Sequence, residues 1–208
     1  MDKSPYILKI NIRKNKYNVK KNNKLDFSPK SGSEFPYDPK IWNEDYQTKN
    51  SHNCYSYALG KIVKKLKSKA QPGYSSAHDH IELNNYKCSS FLKRLKKDAP
   101  GSHLQYFDKP CLNGFYKIFL TLDKENDYHW YRQDSNGFWS HKPGSSKVTN
   151  LDADNKKIKN PVKANRDYGM LNYKTPCFFA CIYSDLARAL DDIYPMTEKK
   201  SSYFFNNF

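Results

Sequence analysis

A chain of 208 residues is long enough for one domain of ordinary size with extensions, or for two small ones. A composition of 38% hydrophobic and 15% aromatic residues supports a packed core and excludes a wholly disordered chain. The 36 Lys and Arg residues exceed the 21 Asp and Glu residues, and the resulting net charge of +15 favours a polyanion or nucleic acid as a partner. A genome rich in A and T, whose codons favour Lys and Asn, is the alternative explanation for this excess.

Membrane and secretion signals are missing from the sequence pattern. No stretch approaches the roughly 18 uninterrupted apolar residues of a transmembrane helix, and charges interrupt the segment from Met1 to Ile10 before a signal-peptide core could form. The five cysteines are odd in number and widely scattered, which argues against a disulfide framework. We therefore expect reduced thiols and a cytoplasmic location, or a virion location if the source is viral.

Composition divides the chain into three parts. Residues 1–45 form a basic, largely flexible arm, with a short strand at 6–13 followed by a run of Lys and Asn. Residues 46–195 form one α+β domain, and residues 196–208 form a C-terminal tail. No internal repeat is visible, and oligomeric state is not set by these patterns.

The strongest local signal is an amphipathic helix that begins at Cys54. Asn53 is a good N-cap residue, and apolar side chains then follow at helical spacing as far as Leu66. Cys54 lies four residues before Ala58, so its thiol shares the buried face of this helix.

The period then changes from helix to strand. A second helix is predicted at 88–98, strands at 115–122, 127–133 and 138–141, a hairpin turn at 134–137, a strand at 177–183 and a final helix from Ser184 to about Ile193. This order predicts an α+β fold in which a Cys-bearing helix packs on an antiparallel meander. Cys177 and Cys181 are expected on one face of their strand, as core residues.

Three residues form a candidate catalytic set. Cys54, in the first turn of a helix, is placed for nucleophilic attack, and His129, on a strand among aromatic residues, is the candidate base. His141 follows His129 by twelve residues across a tight hairpin, which can place the two imidazoles side by side so that His141 orients His129.

These residues carry a resemblance to a known family. The run from Asn53 to Leu59 resembles the cysteine-helix motif of the NlpC-type papain-like peptidases and amidases, and the hairpin from His129 to His141 is similar to their two-histidine hairpin. The blocks around His129 and His141 also resemble uncharacterised proteins of bacteria and giant DNA viruses.

The resemblance implies a papain-like α+β fold and a thiol hydrolase that acts through an acyl-enzyme. It implies Cys54 as nucleophile, His129 as general base and His141 as the orienting residue. Backbone amides at the helix start would bind the oxyanion. We expect Tyr57 and Trp130 to line the cleft for a peptide, amide or ester substrate, and we expect no cofactor and no metal.

Two other interpretations stay open. The chain could be a nucleic-acid-binding or structural, virion-associated protein built on an inactive papain-like domain, with exposed Tyr and Trp stacking on bases. A zinc site is the rival reading of the histidines and cysteines near the first helix, although their spacing matches no known zinc motif. Its ligands would come from His52, Cys54, His78, His80 and Cys88.

Overall fold

The computed structural model describes residues 25–63, 69–73 and 81–184. The strand predicted at 6–13, the helix predicted after Ser184 and the tail at 196–208 lie outside these residues.

One antiparallel sheet organises the described part of the chain. Its five strands run in the spatial order β1-β5-β2-β3-β4, so that the last strand in sequence lies between the first and the second. The expectation of an α+β fold is therefore confirmed. The strands are β1 (His103–Gln105), β2 (Phe115–Asp123), β3 (Asp127–Gln133), β4 (Trp139–Ser140) and β5 (Thr175–Tyr183).

The β2–β3–β4 meander follows the sequence prediction closely. Strand β2 pairs with β3 from Ile118↔Arg132 to Asp123↔Asp127, and this register sets Thr121 opposite His129. The turn into β4 closes where Gly137, at φ +87°, donates its N–H to the carbonyl of Asp134 over 2.8 Å. The hairpin prediction is confirmed, because glycine adopts this left-handed conformation without a Cβ clash.

Four short α-helices of the described residues precede or cover the sheet. They are α1 (Lys40–Asn43), α2 (Tyr46–Ser51), α3 (Cys54–Ala58) and α4 (Cys88–Asp98), with a 3₁₀ turn at Leu83–Asn85. Helix α4 has the predicted bounds and buries Phe91 and Leu95 against one sheet face. A second apolar cluster, which includes Trp139, Ile158 and Phe179, covers the opposite face.

Helix α3 is much shorter than predicted. It ends at Ala58, because Gly60 takes φ +66° and its N–H bonds to the carbonyl of Tyr57. The N–H of Lys61 reaches back to the carbonyl of Ser56, which completes a Schellman motif that stops a helix. The prediction of a helix as far as Leu66 was wrong, since its apolar spacing continued past a residue that ends the helix.

Four of the five cysteines form disulfides, which corrects the expectation of reduced thiols. Cys88 pairs with Cys177, and Cys111 pairs with Cys181, across 89 and 70 residues of sequence. Disulfides persist in oxidising compartments, so a reducing cytoplasm does not suit this chain. Cys54 is the free cysteine.

A bulge in β5 also corrects the expected placement of its cysteines. Thr121 pairs with Pro176 and Leu120 pairs with Phe178, so that Cys177 is an extra residue without its own partner. The bulge shifts the alternation of side chains and sends Cys177 to the face covered by α4. Cys181 lies on the opposite face, beside Cys111.

The segment 25–45, assigned to the arm by composition, packs on the sheet. Ser28 is buried, donates to the carbonyl of Phe107 and accepts from the ammonium group of Lys117. Trp42 packs edge-on against Tyr57. None of the helices in the described ranges has the length and apolarity needed to cross a membrane.

Candidate active site

The position of Cys54 follows from a cap and an open strand edge. Asn53 caps α3 by accepting the N–H groups of Tyr55 and Ser56 on its side-chain oxygen, each over 3.1 Å. Strand β4 covers β3 only at Arg132 and Gln133. The start of α3 therefore meets the part of the β3 edge that β4 leaves open. There the Cys54 Sγ lies 3.9 Å from the carbonyl oxygen of Tyr128, the residue before His129.

Burial keeps the Cys54 thiol protonated at neutral pH. Desolvation raises its pKa to about 12, and the nearby carboxylate of Asp127 acts in the same direction. Backbone N–H groups of Trp130 and Tyr55 lower the pKa but do not outweigh burial. Cys54 is therefore a neutral thiol, because taking a thiolate out of water costs more than these hydrogen bonds return.

The two histidines form a directed hydrogen-bond chain. His129 Nε2 lies 2.7 Å from Nδ1 of His141, and Nε2 of His141 lies 3.0 Å from the carbonyl oxygen of Leu151. A carbonyl only accepts, so His141 carries its proton on Nε2 and its Nδ1 accepts from His129. His129 then carries its proton on Nε2, and its Nδ1 has a free lone pair.

His129 and His141 are both buried and uncharged. Burial lowers the pKa of His141 to about 4, and burial together with the neighbouring His141 holds the pKa of His129 well below its ordinary value. Tyr131 and Tyr173 pack against the His129 ring, each with a centroid distance of 5.0 Å. Neutral imidazoles are the form that can accept a proton from a thiol.

A cavity of about 290 Å³ brings together Cys54 and His129, the candidate nucleophile and the candidate base. Cys54 and His129 both line it, whereas His141 stands behind His129 as its hydrogen-bond partner. The structure thus places the three predicted catalytic residues in one constellation. The full lining consists of Asn53, Cys54, Lys69, Gln71, Tyr86, Asp127, Tyr128, His129 and Gly144.

The cavity wall holds three polar residues that the sequence reasoning missed. Asp127 accepts from the Tyr173 hydroxyl over 2.8 Å, and burial raises the pKa of its carboxyl group. Gln71 accepts from the Tyr128 hydroxyl over 2.5 Å, and Lys69 comes from the same short segment as Gln71.

Tyr57 and Trp130, the residues predicted to line the cleft, lie in the interior instead. The Tyr57 hydroxyl is 2.6 Å from the Ser140 hydroxyl and accepts from Arg132 over 2.9 Å. The Trp130 ring packs against Tyr55 in the core below α4. Alternation along β3 directs the Trp130 indole into the core, so this residue reaches Cys54 only through its backbone N–H.

The expected oxyanion donors are largely occupied. Asn53 already accepts the amides of Tyr55 and Ser56, and the amide of Tyr57 bonds to the carbonyl of Asn53. The N–H of Cys54 is directed to its own sulfur, where it lowers the pKa of the thiol, and none of the other described residues accepts from it. This amide is therefore the helix-start donor left for an oxyanion.

The zinc alternative loses two of its five candidate ligands, Cys88 and His52. Cys88 is tied up in a disulfide, and His52 Nε2 accepts the backbone N–H of Val63 over 2.9 Å. Within the ranges 25–63, 69–73 and 81–184 no cluster of three metal-ligating side chains occurs. His78 and His80 lie outside the described residues.

Comparison with known proteins gives one informative match. The chain is 32% identical over 130 residues to the insoluble matrix shell protein 1 of Ruditapes philippinarum, and the match covers 62% of this chain and 80% of that protein. No model of a known protein family matches the chain, and no solved structure matches it. The two disulfides and the likeness to a shell matrix protein point to an extracellular, oxidising location. The predicted cytoplasmic location, with its virion variant, was wrong.

Proposed function

We propose that this chain, which belongs to the same family as the insoluble matrix shell protein 1 of Ruditapes philippinarum, is a thiol hydrolase of the NlpC-type papain-like kind. Cys54 is the nucleophile, His129 the general base and His141 the orienting residue. The carrying observation is the hydrogen-bond chain from His129 through His141 to Leu151, which leaves Nδ1 of His129 able to accept a proton, on a residue that lines the same cavity as the free thiol. The substrate class is an amide or ester.

The chemistry requires proton transfer together with attack, because the resting thiol is neutral. As the Cys54 Sγ bonds to the substrate carbonyl carbon, its proton passes to Nδ1 of His129 and the carbonyl electron pair moves onto oxygen. The tetrahedral oxyanion then collapses, the bond to the leaving nitrogen or oxygen breaks, and His129 returns the proton to that atom. Water cleaves the resulting thioester with His129 again as base, which restores the thiol.

His141 supports this cycle by its fixed orientation. When Nδ1 of His129 gains a proton, both nitrogens of that ring carry hydrogen, and Nδ1 of His141 accepts from the resulting imidazolium. The Leu151 carbonyl holds His141 in the tautomer that can accept. A neutral acceptor stabilises an imidazolium less than a carboxylate does, which suits a pair that rests uncharged.

The free state of Cys54 supports a chemical role. Every other cysteine of the chain is paired in a disulfide, and the one that stays a thiol lies beside a histidine pair. The arrangement of a Cys-bearing helix against an antiparallel sheet, with the base on β3 of that sheet, is similar to the layout expected of a papain-like domain. We take this similarity of layout as support for a papain-like fold.

The test is acylation by p-nitrophenyl acetate, followed by nitrophenolate release and by mass mapping of the acetyl group. We expect acetylation of Cys54 in the wild type, and a rate lower by about 10²- to 10⁴-fold in His129→Ala, the usual contribution of a general base. His103→Ala is the matched control, since His103 lies on β1 outside the cavity. No acetylation of Cys54, or equal rates in the two histidine variants, would refute the proposal.

A second candidate is a matrix component that binds acidic polymers without catalysis. The net charge of +15 and the family relationship favour it. Binding of fluorescent polyglutamate should then weaken steeply with salt, because the screening length falls from about 10 Å at 0.1 M to about 3 Å at 1 M. Equal binding by wild type and Cys54→Ser would separate this role from the thiol chemistry, and binding unchanged by salt would exclude it.

A further inference from the structure

Two phenylalanine rings lie at the surface beside the turn that follows β3. The rings of Phe27 and Phe138 meet edge to face with centroids 5.2 Å apart, and 40% of Phe27 is exposed. Phe138 closes that turn, because its carbonyl accepts the N–H of Asp134 over 2.9 Å. Exposed aromatic rings that contact one another, rather than single exposed side chains, point to an interaction surface.

Two lysines hold their ammonium groups over these rings. The extended segment that pairs with β4 buries Ile158, so alternation directs the flanking Lys157 and Lys159 towards solvent. Nζ of Lys157 lies 5.6 Å from the Phe138 centroid. Nζ of Lys159 lies 5.5 Å from the Phe27 centroid. A ring face orients an ammonium group without neutralising its charge, so both lysines stay able to bind an anion.

Two further lysines extend the positive surface around the rings. Lys30 donates through Nζ to the carbonyl of Ser135, within the same turn, over 2.5 Å. Lys163 lies 3.5 Å from the carboxylate of Asp26, next to the first ring in sequence. We refer to the six side chains as the basic aromatic patch, which consists of Phe27, Lys30, Phe138, Lys157, Lys159 and Lys163.

Carboxylates offset little of the charge of this patch. Asp26 is exposed and pairs with Lys163, whereas Asp134, in the turn itself, is buried and bound to a buried arginine over 3.2 Å. Among the residues that the structure describes, no carboxylate lies within ion-pair distance of Lys157 or Lys159. The patch therefore presents ammonium groups whose charge is not neutralised, beside exposed ring surface.

This combination of charge and ring surface fits an anionic polysaccharide. A sugar ring has an apolar C–H face that packs on an aromatic ring, and its sulfate or carboxylate groups accept hydrogen bonds from ammonium groups. We therefore propose that the basic aromatic patch binds an anionic polysaccharide, with sugar rings on the two phenylalanines and acidic groups on the four lysines. The inference rests on the polymer-binding role given above as the second candidate function, and it assigns that role a surface and a ligand class.

Other occupants suit the patch less well. A second copy of the chain carries a net charge of +15, and residues 14–24 hold five Lys without Asp or Glu, so both would bring like charge to it. Nucleic-acid bases also stack on aromatic rings. The two disulfides, however, point to an extracellular, oxidising location, where nucleic acid is scarce.

The experiment measures binding of a fluorescein-labelled heparin decasaccharide to the full chain by fluorescence anisotropy, over a series of NaCl concentrations. We expect Lys157→Gln combined with Lys159→Gln to weaken binding about tenfold at about 0.15 M salt and to make its salt dependence shallower, because fewer counterions are released. The matched control, Lys96→Gln combined with Lys97→Gln, removes the same charge from α4, which packs against Tyr128 at the opposite end of β3. It should stay within about twofold of wild type.

The contribution of the rings is measured separately. Phe27→Leu removes a ring and keeps an apolar side chain, so binding should weaken about threefold to fivefold while the salt dependence stays that of wild type. Tyr46→Leu is the matched control, because Tyr46 is 78% exposed on α2 and Nζ of Lys49 lies 5.7 Å from its ring centroid. This control should bind as wild type does.

Each result bears on a different part of the proposal. Equal losses in the two double lysine variants would refute the patch as the binding site and leave the polymer-binding role standing. Tighter binding of oligothymidylate or polyglutamate of matched charge would refute a polysaccharide as the partner. If wild type binds none of the three probes, the polymer-binding role and the patch both fail. None of these measurements depends on acylation of Cys54, so the hydrolase proposal is tested separately.

Discussion

Cys177 and Cys181 lie four residues apart on β5, yet their disulfides form on opposite faces of the sheet. Cys177 reaches Cys88 at the start of α4, and Cys181 reaches Cys111 in the segment before β2. The extra residue of the β5 bulge separates them. The two bridges therefore hold one strand to the helix layer on one side and to a loop on the other.

The thiol count of the chain follows from this pairing. We expect one reactive thiol per chain in the denatured, unreduced protein and five after reduction, measured with a thiol-specific chromogenic reagent. Non-reducing peptide mapping should find the Cys88–Cys177 and Cys111–Cys181 pairs. A count above one before reduction would contradict the assigned bridges.

The carboxylate of Asp127 contributes to the raised pKa of the Cys54 thiol. Its charge is the second cause, after burial, of the raised pKa of Cys54. We expect Asp127→Asn to lower the thiol pKa, so that iodoacetamide alkylates Cys54 several-fold faster at pH 8 than in wild type. The Asn side chain can still accept from the Tyr173 hydroxyl.

The pH profile of this alkylation provides the control. Because the pKa of wild-type Cys54 is about 12, its alkylation rate should rise about tenfold per pH unit between pH 7 and pH 9. A plateau near pH 8.5 in the folded wild type would contradict a buried, neutral thiol. Asp154→Asn, on an exposed loop, should leave the profile unchanged.

Acid should destabilise the fold through the neutral histidine pair. The pKa of His141 is about 4 in the folded chain and about 6.5 when unfolded, so between these values the unfolded state binds a proton that the folded state does not. The free energy of unfolding therefore falls as pH drops from 7 to 5, by about 2 kcal/mol for His141 alone.

His141→Asn isolates this contribution, because its amide oxygen can still accept from His129 Nε2. Urea unfolding at pH 7 and pH 5 should show a loss smaller by about 2 kcal/mol in this variant than in wild type. Equal losses in the two proteins would mean that His141 is not buried as a neutral group.

The end of α3 at Gly60 predicts a specific steric cost. At φ +66°, a Cβ on residue 60 would lie 2.7 Å from Cε2 of Phe35, whereas Gly101, at φ +81°, has no atom within 4 Å of the added Cβ. Both Ala substitutions carry the left-handed backbone strain of about 1–2 kcal/mol. We expect Gly60→Ala to lower the free energy of unfolding by about 1 kcal/mol more than Gly101→Ala, as an overpacking cost.

Urea unfolding of the two glycine variants measures this difference. Phe35 packs edge-on against Tyr116, so it does not move aside freely. The smaller side chain of Phe35→Leu should reduce the extra loss in Gly60→Ala. A difference that persists in the Phe35→Leu background would place the clash elsewhere.

Predictions from sequence succeeded where neighbours along the chain decide the structure. The strands at 115–123 and 127–133, the turn at Gly137 and helix α4 all follow from side-chain period and turn residues within a few positions. The Asn53 cap was predicted on the same basis. The helix after Cys54 failed because apolar spacing says nothing about the φ angle of Gly60.

Spatial proximity of Cys54, His129 and His141 was a hypothesis from spacing and resemblance. In the structure Cys54 and His129 line one cavity, and His141 lies behind His129 as its hydrogen-bond partner. No sequence pattern indicated that Gln71 and Asp127 would line this cavity. Gln71 lies at the cavity wall, where the hydroxyl of Tyr128, 57 residues away in sequence, donates to its Oε1. The arm boundary likewise depended on Ser28 finding a buried partner in Lys117 across 89 residues.

The sequence alone therefore predicted the helix start at Cys54 and the two-histidine hairpin. Both are local features, because backbone preferences and turn chemistry act over a few residues. Tertiary packing decided the rest. Packing determines which cysteines form disulfides and leaves Cys54 as a thiol. The Leu151 carbonyl fixes the histidine tautomers, and burial keeps the Cys54 thiol neutral. These properties depend on desolvation and on contacts between residues far apart in sequence, which exist only once the sheet has formed.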